Sequence, residues 1–548
     1  MEVMLQASSR VSLPQEIVGG SLLAMQASEN LAGFLRLVPQ ERGAALGFKP
    51  GCDAKAETLT LTWGSCCSGS EGAHYVVEAV NLALQQQDIP LCFKHSFSCE
   101  INPKKREWIK TVLSSGHVFA GSLSESDPQG RPWHELGCVF TDILDLKEGE
   151  APCAMHSPGR RRKGKLEHLP CAVPSVDVLV IGTSCKDLSR ANSSVDRTKL
   201  VLSEETSKGA SAQTFKGMLG YVSGHRPRFV IFENVDSIDD KVSTAQETNL
   251  SLVMQAMKEL GYEGQKVMTD AQQFGLPCRR RRLYVLFLDV ASPRLDLRGE
   301  ALGQVFALFR KLVASCLRTP PSVKDCLLTE DAHGQDLREA VQDRHAMWEK
   351  AQEKKPAPQT WLDKHMAYAD QLGVRWAAPV AEGLAANVWY QTLTKREQDA
   401  LVLSRVDGPD CLFRNLSQSI GRINARSTAK DYEDGREIAP TMLPGQILWV
   451  ESQERVLTGE EALLLQGFPI LRLKNKCLTL PPDLASQAFL SDLAGNAMAL
   501  PVVLAIFQAG LAAVRWREGR DTDEEEGELA VAMAALAKLQ SNDGRGRA

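Results

Sequence analysis

Short apolar runs rich in β-branched residues recur along residues 58–290, and each has the length of a strand. They lie at 58–63, 95–101, 138–143, 177–182, 228–235 and 283–288. Between several of them, apolar residues recur at helical spacing, at 72–87, 102–113, 211–222 and 250–261. Because strands that alternate with helices form parallel βαβ units, the pattern predicts an α/β fold with a doubly wound, mostly parallel, Rossmann-like sheet.

The pattern also divides the chain into segments. Residues 1–55 show no clear period, which predicts a loosely structured N-terminal extension before the main domain at 56–290. Polar, proline-spotted sequence at 291–420 is too irregular to extend the sheet and too long for a loop, so it predicts a smaller inserted domain. Apolar helical sequence returns at 421–515 and is expected to close the main domain, and an acid-led tail follows at 516–548.

Composition changes this picture little. The chain of 548 residues is 43% hydrophobic and 24% charged, which is typical of folded globular domains and excludes disordered and fibrous classes. Its formal net charge of −5 does not indicate a polyanion partner, so any nucleic-acid contact must be local. Two basic runs could supply one, RRRKGK at 160–165 and RRRR at 279–282, although a solvated surface is the commoner role of such runs.

Cysteine usage indicates the compartment. The chain has 14 cysteines but no Cys-x-x-Cys pair, and the adjacent Cys66 and Cys67 suit neither a disulfide nor zinc, so we expect no zinc module and no metal ligand. No signal peptide and no apolar run of membrane-spanning length are evident, so we expect no membrane association. Free thiols favour the cytosol or the nucleus.

Several predicted strands end in residues that could bind a ligand or take part in catalysis. In an open α/β sheet, ligands bind at the carboxyl ends of the strands. After the first strand, CCSGSEG at 66–72 permits close approach of the backbone to a ligand, although glycine- and serine-rich turns are common. Glu100 could accept both hydroxyls of a ribose or be a surface carboxylate. Asp142 could accept the exocyclic amine of an adenine or cap a helix.

The fourth and fifth strands carry the residues of greatest interest. Cys185 lies in GTSCKDLS directly after DVLVIG; a free cysteine is usually a small buried apolar residue, but this one could also be a nucleophile. Glu233 and Asn234 end RFVIFENV, a strand so apolar that it must be central. Burial would raise the pKa of Glu233 and let it donate or share a proton. The two strand ends therefore predict a nucleophile and an acid side by side.

In this order along the chain, the motifs resemble those of the cytosine-5 DNA methyltransferase family. They are CSGSEG, Glu100, FTDI, GTSCKDLS, FENV, FGLPCRRRRLYV, LTGEEALLLQGFP and AGNAMALPVVLAI. The resemblance covers 58–290 and 455–510, and the variable stretch between them is where that family holds its target-recognition domain. It implies a Rossmann-like methyltransferase fold that transfers a methyl group from S-adenosylmethionine to C5 of cytosine in DNA.

The resemblance also implies a role for each matching residue. The catalytic residues would be Cys185 as the nucleophile at C6 of a flipped-out base, Glu233 as the group that grips the cytosine, and the paired arginines Arg280 and Arg282. The cofactor-binding residues would be Ser68, Gly69 and Gly72 in the loop, Glu100 at the ribose, Asp142 at the adenine, and Asn496 in the closing segment. Arg280 would favour the thiolate of Cys185 and spread negative charge.

Four positions depart from the family pattern. Ser184 replaces the proline before the nucleophile, which removes a restraint on φ and loosens the loop. Lys186 follows the nucleophile and could lower the pKa of its thiol. Cys278 opens the arginine motif in place of glutamine, and Cys67 stands where the cofactor loop usually has an aromatic residue. These departures bear on catalytic efficiency and not on the fold.

The departures leave two other functions open. One is a catalytically impaired regulator with the same fold that binds DNA or a partner methyltransferase. The other is a tRNA cytosine-5 methyltransferase, although the Cys-Phe-Thr tripeptide of that branch is absent. For the DNA enzyme we expect a nuclear location, with RRRKGK as a candidate signal, and targeting by 291–420, the first 55 residues or another protein. The amino-acid sequence indicates neither the DNA sequence that is targeted nor the oligomeric state.

Overall fold

The computed structural model describes most of the chain. The described residues are 11–38, 58–114, 137–156, 160–162, 165–192, 196, 199–203, 208–242, 247–292, 295, 302–353, 360–374, 383–425, 436–475 and 480–514. The predicted tail at 516–548 lies outside them, as do residues 39–55 of the predicted extension.

Fifteen strands occur in the described residues. They are β1 Leu59–Cys66, β2 Leu91–Cys99, β3 Cys138–Phe140, β4 Glu150–Pro152, β5 Arg160–Arg162, β6 Lys165–Glu167, β7 Pro170–Ala172, β8 Val178–Gly182, β9 Phe229–Val235, β10 Tyr262–Asp270, β11 Arg281–Asp289, β12 Phe413–Asn415, β13 Asn424–Ala425, β14 Leu448–Val450 and β15 Arg455–Val456.

Sixteen α-helices accompany these strands in the described ranges. They are α1 Pro14–Val18, α2 Leu22–Leu37, α3 Gly72–Gln86, α4 Pro103–Ser114, α5 Ala210–His225, α6 Asn249–Glu259, α7 Leu302–Ser315, α8 Glu330–Gln352, α9 Leu362–Gln371, α10 Val388–Gln391, α11 Lys395–Asp407, α12 Gly459–Leu464, α13 Ile470–Asn475, α14 Pro482–Ala485, α15 Gln487–Asn496 and α16 Leu500–Ala513.

A seven-stranded sheet in the order β10-β11-β9-β8-β1-β2-β3 forms the centre of the protein. The five strands from β9 to β3 are mutually parallel, whereas β11 runs antiparallel to β9 and β10 antiparallel to β11. The predicted α/β class with a mostly parallel, doubly wound sheet is therefore confirmed. The switch in strand order between β1 and β8 opens the crevice in which such sheets bind their ligands.

Both faces of the sheet are covered, which explains the continuous apolar runs Val178–Ile181 in β8 and Phe229–Phe232 in β9. Along β8, Val178 and Val180 face one hydrophobic cluster, and Leu179 and Ile181 face the other. The first cluster contains α2, α3, α7 and α16, and the second contains α5 and α6. The alternation of side chains along each strand thus divides the core into two layers.

The N-terminal segment corrects one prediction. Residues 11–38 are not loosely structured, because α2 packs against α3 and α16 and buries Phe34 in the main core. Two polar residues on its buried face find distant partners: Gln26 Nε2 donates to Phe274 O at 3.2 Å, and Asn30 Nδ2 donates to Gln508 Oε1 at 3.2 Å. These buried polar residues dilute the apolar stripe and hide the helix from a periodicity analysis.

The predicted inserted domain at 291–420 has incorrect boundaries at both ends. At its start, α7 packs against α16 and buries Phe309 in the core of the main domain. At its end, a second sheet in the order β13-β12-β14-β15 continues to Val456, so position 420 falls between two paired strands. Strands of two or three residues carry no readable period, which is why the sequence did not predict them.

One stretch contradicts the expectation that no apolar run is long enough to span a membrane. Gln487–Ala513 has 27 residues, and its most apolar 18-residue window has a mean hydropathy of 1.7, which meets the requirements of length and composition. However, 89% of its most apolar window is buried inside the protein, because α16 packs against α2, α3 and α7. Its apolar character is thus that of a core helix.

Candidate active site

The loop after β1 is tied to the end of β2. Ser68 N donates to Cys99 O at 3.1 Å, and Gly69 N donates to Glu100 Oε2 at 2.9 Å. Gly69 has a φ of +51°, in the left-handed region that favours glycine. Glu100 is 8% exposed, and its other oxygen, Oε1, accepts from Asn102 N at 2.8 Å. The loop and this carboxylate therefore form one rigid edge of the crevice.

Asp142 and Asn496 occupy two further edges. Asp142 Oδ1 accepts from Leu144 N at 3.0 Å and caps the short 3-10 helix Ile143–Lys147, so the capping role is confirmed, and the residue also lines the crevice. Asn496 ends α15, and its Nδ2 donates to Asp492 O at 2.8 Å.

Gly72 has a different environment from the other loop residues. It begins α3, and a Cβ at this position would lie 2.7 Å from Leu500 Cδ2 of the closing helix α16. The close helix packing explains why this position is glycine. Ser68 and Gly72 line a small cavity beside the main crevice, together with Gly182 and Glu233.

The loop that carries Cys185 is fixed to the first turns of α5. Ser184 N donates to Thr214 Oγ1 at 3.0 Å, and Asp187 and Ser211 exchange two hydrogen bonds, at 2.9 and 3.1 Å. Proline has no N–H, so the bond from Ser184 is one that the family residue could not make. It restrains the loop that the loss of proline was expected to loosen.

Replacement of Thr214 by valine should slow the methyl transfer that the family resemblance implies about five- to tenfold, because the Ser184 N–H loses a partner that contributes on the order of 1 kcal/mol. The measurement is the single-turnover rate at saturating DNA. Thr214→Ser keeps the hydroxyl and should stay near the parent rate. Equal rates for the two variants would contradict the restraining role of this bond.

Glu233 lies at the end of β9, in register with Gly182 of β8. Its Oε1 is 3.1 Å from Arg282 Nε, so the carboxyl group lies against one of the two arginines. Asn234 turns the other way, and its Nδ2 donates to Thr183 O and Thr183 Oγ1 at 3.1 and 2.9 Å. Asn234 therefore links β9 to the start of the loop that carries Cys185.

Arg280 is buried and links the sheet to the closing segment. Its Nη1 donates to Met442 O at 3.3 Å and its Nη2 to Gly495 O at 3.1 Å, while its backbone N donates to Asp270 Oδ1 at 2.8 Å. Within the described part of the chain its Nε has no hydrogen-bond partner, although the residue lines the crevice. A buried guanidinium with a donor to spare is suited to a polar substrate atom.

Electrostatics set the resting state of the two central groups. Burial raises the pKa of the Cys185 thiol, and Glu233 adds to the rise while Arg282 and Arg280 oppose it. Arg280 thus favours the thiolate of Cys185, as predicted. The net pKa of the thiol is nevertheless raised, whereas Arg280 and Lys186 were expected to lower it. Lys186 is exposed, where solvent screens its charge. Burial likewise raises the pKa of Glu233 against the two arginines.

Sequence reasoning missed three residues that shape the site. A Cβ at Gly182 would lie 3.1 Å from Glu233 Oε2 and 2.8 Å from Met498 Cε, so a larger residue there would displace both side chains. Asp270 positions the backbone of Arg280. Glu71 lies within the loop after β1. It is 1% exposed, and its carboxylate accepts a hydrogen bond from Ser65 Oγ at 2.9 Å. An acidic residue inside a glycine- and serine-rich turn was the available signal for Glu71.

The free energy of unfolding should depend on the protonation of Glu71. Burial raises the pKa of its carboxyl from 4.5 to about 7. A raised carboxyl pKa means that folding favours the protonated acid, so stability is fully present below pH 4.5 and is lost as the pH rises through about 7. Glu71→Gln should therefore recover about 3 kcal/mol at pH 8 and little at pH 4.5.

Urea unfolding of Glu71→Gln at several pH values measures this effect. The matched control is Glu107→Gln on α4, because Glu107 is exposed and its surface ion pair with Lys110 should contribute less than about 1 kcal/mol at any pH. A Glu71→Gln difference that does not vary with pH would contradict the assignment.

The crevice is large. Its volume is about 2840 Å³, against about 300–1,000 Å³ for a typical small-molecule pocket. It can therefore hold more than one ligand. Eight of the ten predicted site residues line it, and the other two, Ser68 and Gly72, line the adjacent cavity. The structure thus brings together residues from the carboxyl ends of five strands, from the start of β11 and from the closing segment.

With this geometry, comparison with known proteins identifies the class. The chain belongs to the C-5 cytosine-specific DNA methylase family, whose pattern matches residues 159–510. The matched segment includes Cys185, Glu233, both arginines and Asn496. The cofactor loop, Glu100 and Asp142 precede it.

The individual relatives are longer or more distant. The chain is similar to the DNA (cytosine-5-)-methyltransferase DMT5 of Cryptococcus neoformans var. grubii, with 28% identity over 485 residues that cover 85% of this chain and 18% of the relative. DMT5 of Verticillium dahliae is 24% identical over 521 residues, which cover 81% and 19%. The Type II methyltransferase M.NlaIV of Neisseria lactamica is 22% identical over 374 residues, which cover 61% and 82%. The chain thus spans less than a fifth of the DMT5 relatives.

Solved structures give only a weak likeness. The S. pombe Dnmt2 methyltransferase covers 82% of this chain with 98% of its own length, at 14% identity and a TM-score of 0.35. A putative DNA modification methyltransferase from an E. coli prophage covers 82% with 98%, at 12% identity and a TM-score of 0.37. The fold assignment therefore rests on the order of the strands in the sheet and on the family match.

Proposed function

We propose that this chain transfers a methyl group from S-adenosylmethionine to C5 of cytosine in DNA, through a covalent bond between Cys185 and C6 of a base extruded from the duplex. The observation that carries the proposal is that Cys185, Glu233 and the two arginines line the same crevice as Gly69 and the other loop and edge residues. Membership of the cytosine-specific DNA methylase family supports DNA as the substrate.

The residues present fit S-adenosylmethionine. Glu100 is nearly buried at the end of β2, beside a loop whose glycine at a φ of +51° lets a ligand approach the backbone. Asp142 offers a second carboxylate on the next strand. Such carboxylates accept hydrogen bonds from ribose hydroxyls and an exocyclic amine. When bound, the cofactor supplies an electrophilic methyl group.

The side chains of this protein perform the remaining steps. The thiol of Cys185 loses its proton to solvent, and the sulfur adds to C6 of cytosine, which places electron density on C5. C5 then forms its bond to the methyl group, and the bond from that methyl group to the sulfonium sulfur breaks. Loss of the C5 proton to a base restores the double bond as the bond between sulfur and C6 breaks. Cys185 is free again at the end of the cycle.

Glu233 makes the first step feasible. Its raised pKa favours a carboxyl group that keeps its proton, and that proton can be donated to N3 of cytosine. Protonation at N3 withdraws electrons from C6 and makes it more reactive toward sulfur. Arg282, 3.1 Å from Glu233, holds the group in position. Arg280 lines the crevice and is the candidate for the carbonyl oxygen of the base.

The location and the partners are part of the proposal. A DNA substrate favours the nucleus, and four residues of the basic run RRRKGK lie in the paired strands β5 and β6, where the run is a candidate localisation signal. A fluorescent fusion that stays outside the nucleus would contradict this. Because the DMT5 relatives are far longer than this chain, targeting by a separate protein or segment is also proposed.

Transfer of tritiated methyl groups to duplex DNA tests the function. The parent protein should label duplex DNA and should leave tRNA unlabelled. Labelling of tRNA alone would favour the RNA enzyme instead. Cofactor binding without labelling of either nucleic acid would favour the non-catalytic regulator. Both outcomes would overturn the proposed reaction.

A further inference from the structure

Four side chains outside the crevice converge on one point. They are Cys138 at the start of β3, Cys153 after β4, His156 in the following turn, and Cys171 in β7. The Nδ1 atom of His156 lies 3.5 Å from Cys138 Sγ, 3.6 Å from Cys153 Sγ and 3.8 Å from Cys171 Sγ. All four candidate ligand atoms lie within 4.8 Å of one another.

Hydrogen bonding does not account for this arrangement. A neutral imidazole nitrogen has one lone pair or one proton, so Nδ1 can make one good hydrogen bond and not three. A disulfide between two of the cysteines would leave the third cysteine and the histidine without a reason to converge. A shared cation accounts for all three distances together.

The distances match tetrahedral zinc. Zinc binds sulfur at about 2.3 Å and nitrogen at about 2.0–2.1 Å, and a tetrahedral angle then separates the two ligand atoms by about 3.6 Å. The three observed separations lie between 3.5 and 3.8 Å. Three thiols and an imidazole form a soft donor set that suits zinc and does not suit magnesium or calcium, which bind oxygen.

We propose that Cys138, Cys153, His156 and Cys171 form a structural zinc site of the Cys3His type. All four positions in the coordination sphere are supplied by the protein, which leaves no place for a substrate or an activated water and is typical of structural zinc. The site is additional to the methyl-transfer reaction and does not depend on it.

The sequence contains a signal that the search for Cys-x-x-Cys overlooked. Cys153 and His156 form a Cys-x-x-His pair, and Cys138 and Cys171 each lie 15 positions from the nearer member of it. Fourteen intervening residues on each side are enough for a strand, a turn and a returning strand. The expectation of no metal ligand considered cysteine pairs alone, and histidine serves zinc equally well.

The zinc site would stabilise the short β4–β7 ladder at the edge of the main sheet. β4 and β7 pair with each other over only three residues each, and an isolated ladder of that length is marginal in water. Zinc would bind this ladder to β3, the edge strand of the main sheet. β3 leads directly to Asp142 at the proposed adenine site, and the segment between His156 and Cys171 carries the basic hairpin β5–β6.

Metal analysis of the purified protein tests the proposal. Mass spectrometry should find one zinc per chain after dialysis against a weak chelator. Titration with an organomercurial that blocks thiols should release that zinc, as followed with a colorimetric zinc indicator, and this measurement requires no variant. Protein refolded with Co²⁺ should show the visible d–d bands of tetrahedral thiolate coordination.

Variants locate the metal. Cys171→Ser should reduce the bound zinc at least tenfold. Cys411→Ser, at a half-buried cysteine two residues before β12, should retain one equivalent of zinc. If Cys171→Ser does not fold, the release of zinc by the mercurial and the cobalt spectrum of the parent protein still show whether thiolates bind the metal. Absence of zinc with no cobalt bands would overturn the proposal, as would zinc that Cys171→Ser leaves in place. Methylation activity enters none of these readouts.

Discussion

Replacement of Cys185 by alanine should lower the single-turnover rate of methyl transfer by about four orders of magnitude or more, the loss typical of removing a catalytic nucleophile. Without sulfur there is no addition at C6, and C5 of cytosine is too poor a nucleophile to take the methyl group. The affinity for S-adenosylmethionine, measured by calorimetry, should remain near that of the parent, because Cys185 and the cofactor loop lie on different strand ends.

A matched variant separates chemistry from general damage. Cys411→Ala removes a half-buried thiol far along the chain and should keep the parent rate and melting temperature. A Cys185→Ala rate within tenfold of the parent would contradict the nucleophile assignment.

The second large effect is expected at Glu233. Glu233→Gln keeps the size of the side chain but removes its acidic proton, and proton transfer by a positioned side chain contributes about 10²–10⁴ in rate. We therefore expect a loss of that size in the single-turnover rate. The substitution also changes the contact between this side chain and Arg282 Nε, which are 3.1 Å apart, so DNA binding should be measured separately.

The control for this substitution is Glu263→Gln on the edge strand β10, away from the crevice. It should leave the rate unchanged. If Glu233→Gln retains more than a tenth of the parent rate while folding normally, the role of Glu233 as a proton donor is wrong.

The central fold could be predicted because its strands are apolar on both faces. Runs such as DVLVIG and RFVIFENV are unmistakable, and the helices between them keep a clear period. β10 was missed because it is an edge strand whose middle residues, such as Lys266 and Met268, are largely exposed. The α2 helix was missed because Gln26 and Asn30 occupy its buried face, and only the tertiary structure supplies their partners.

The site could be predicted only as far as strand ends allow. Cys185 and Glu233 were placed together because the carboxyl ends of neighbouring parallel strands meet at one edge. The bond from Ser184 to Thr214 could not be predicted, since it joins a loop to a helix 30 positions away. The net rise in the pKa of Cys185 depends on burial, which residue types alone do not give.

The most direct test of the account is a covalent trap. Duplex DNA that contains 5-fluorocytosine cannot lose a proton from C5, so the addition product should remain attached to the protein in the presence of S-adenosylmethionine. Peptide mass spectrometry should then find the modified base on Cys185 alone. Attachment to a different residue, or no attachment under conditions where the cofactor binds, would contradict the account.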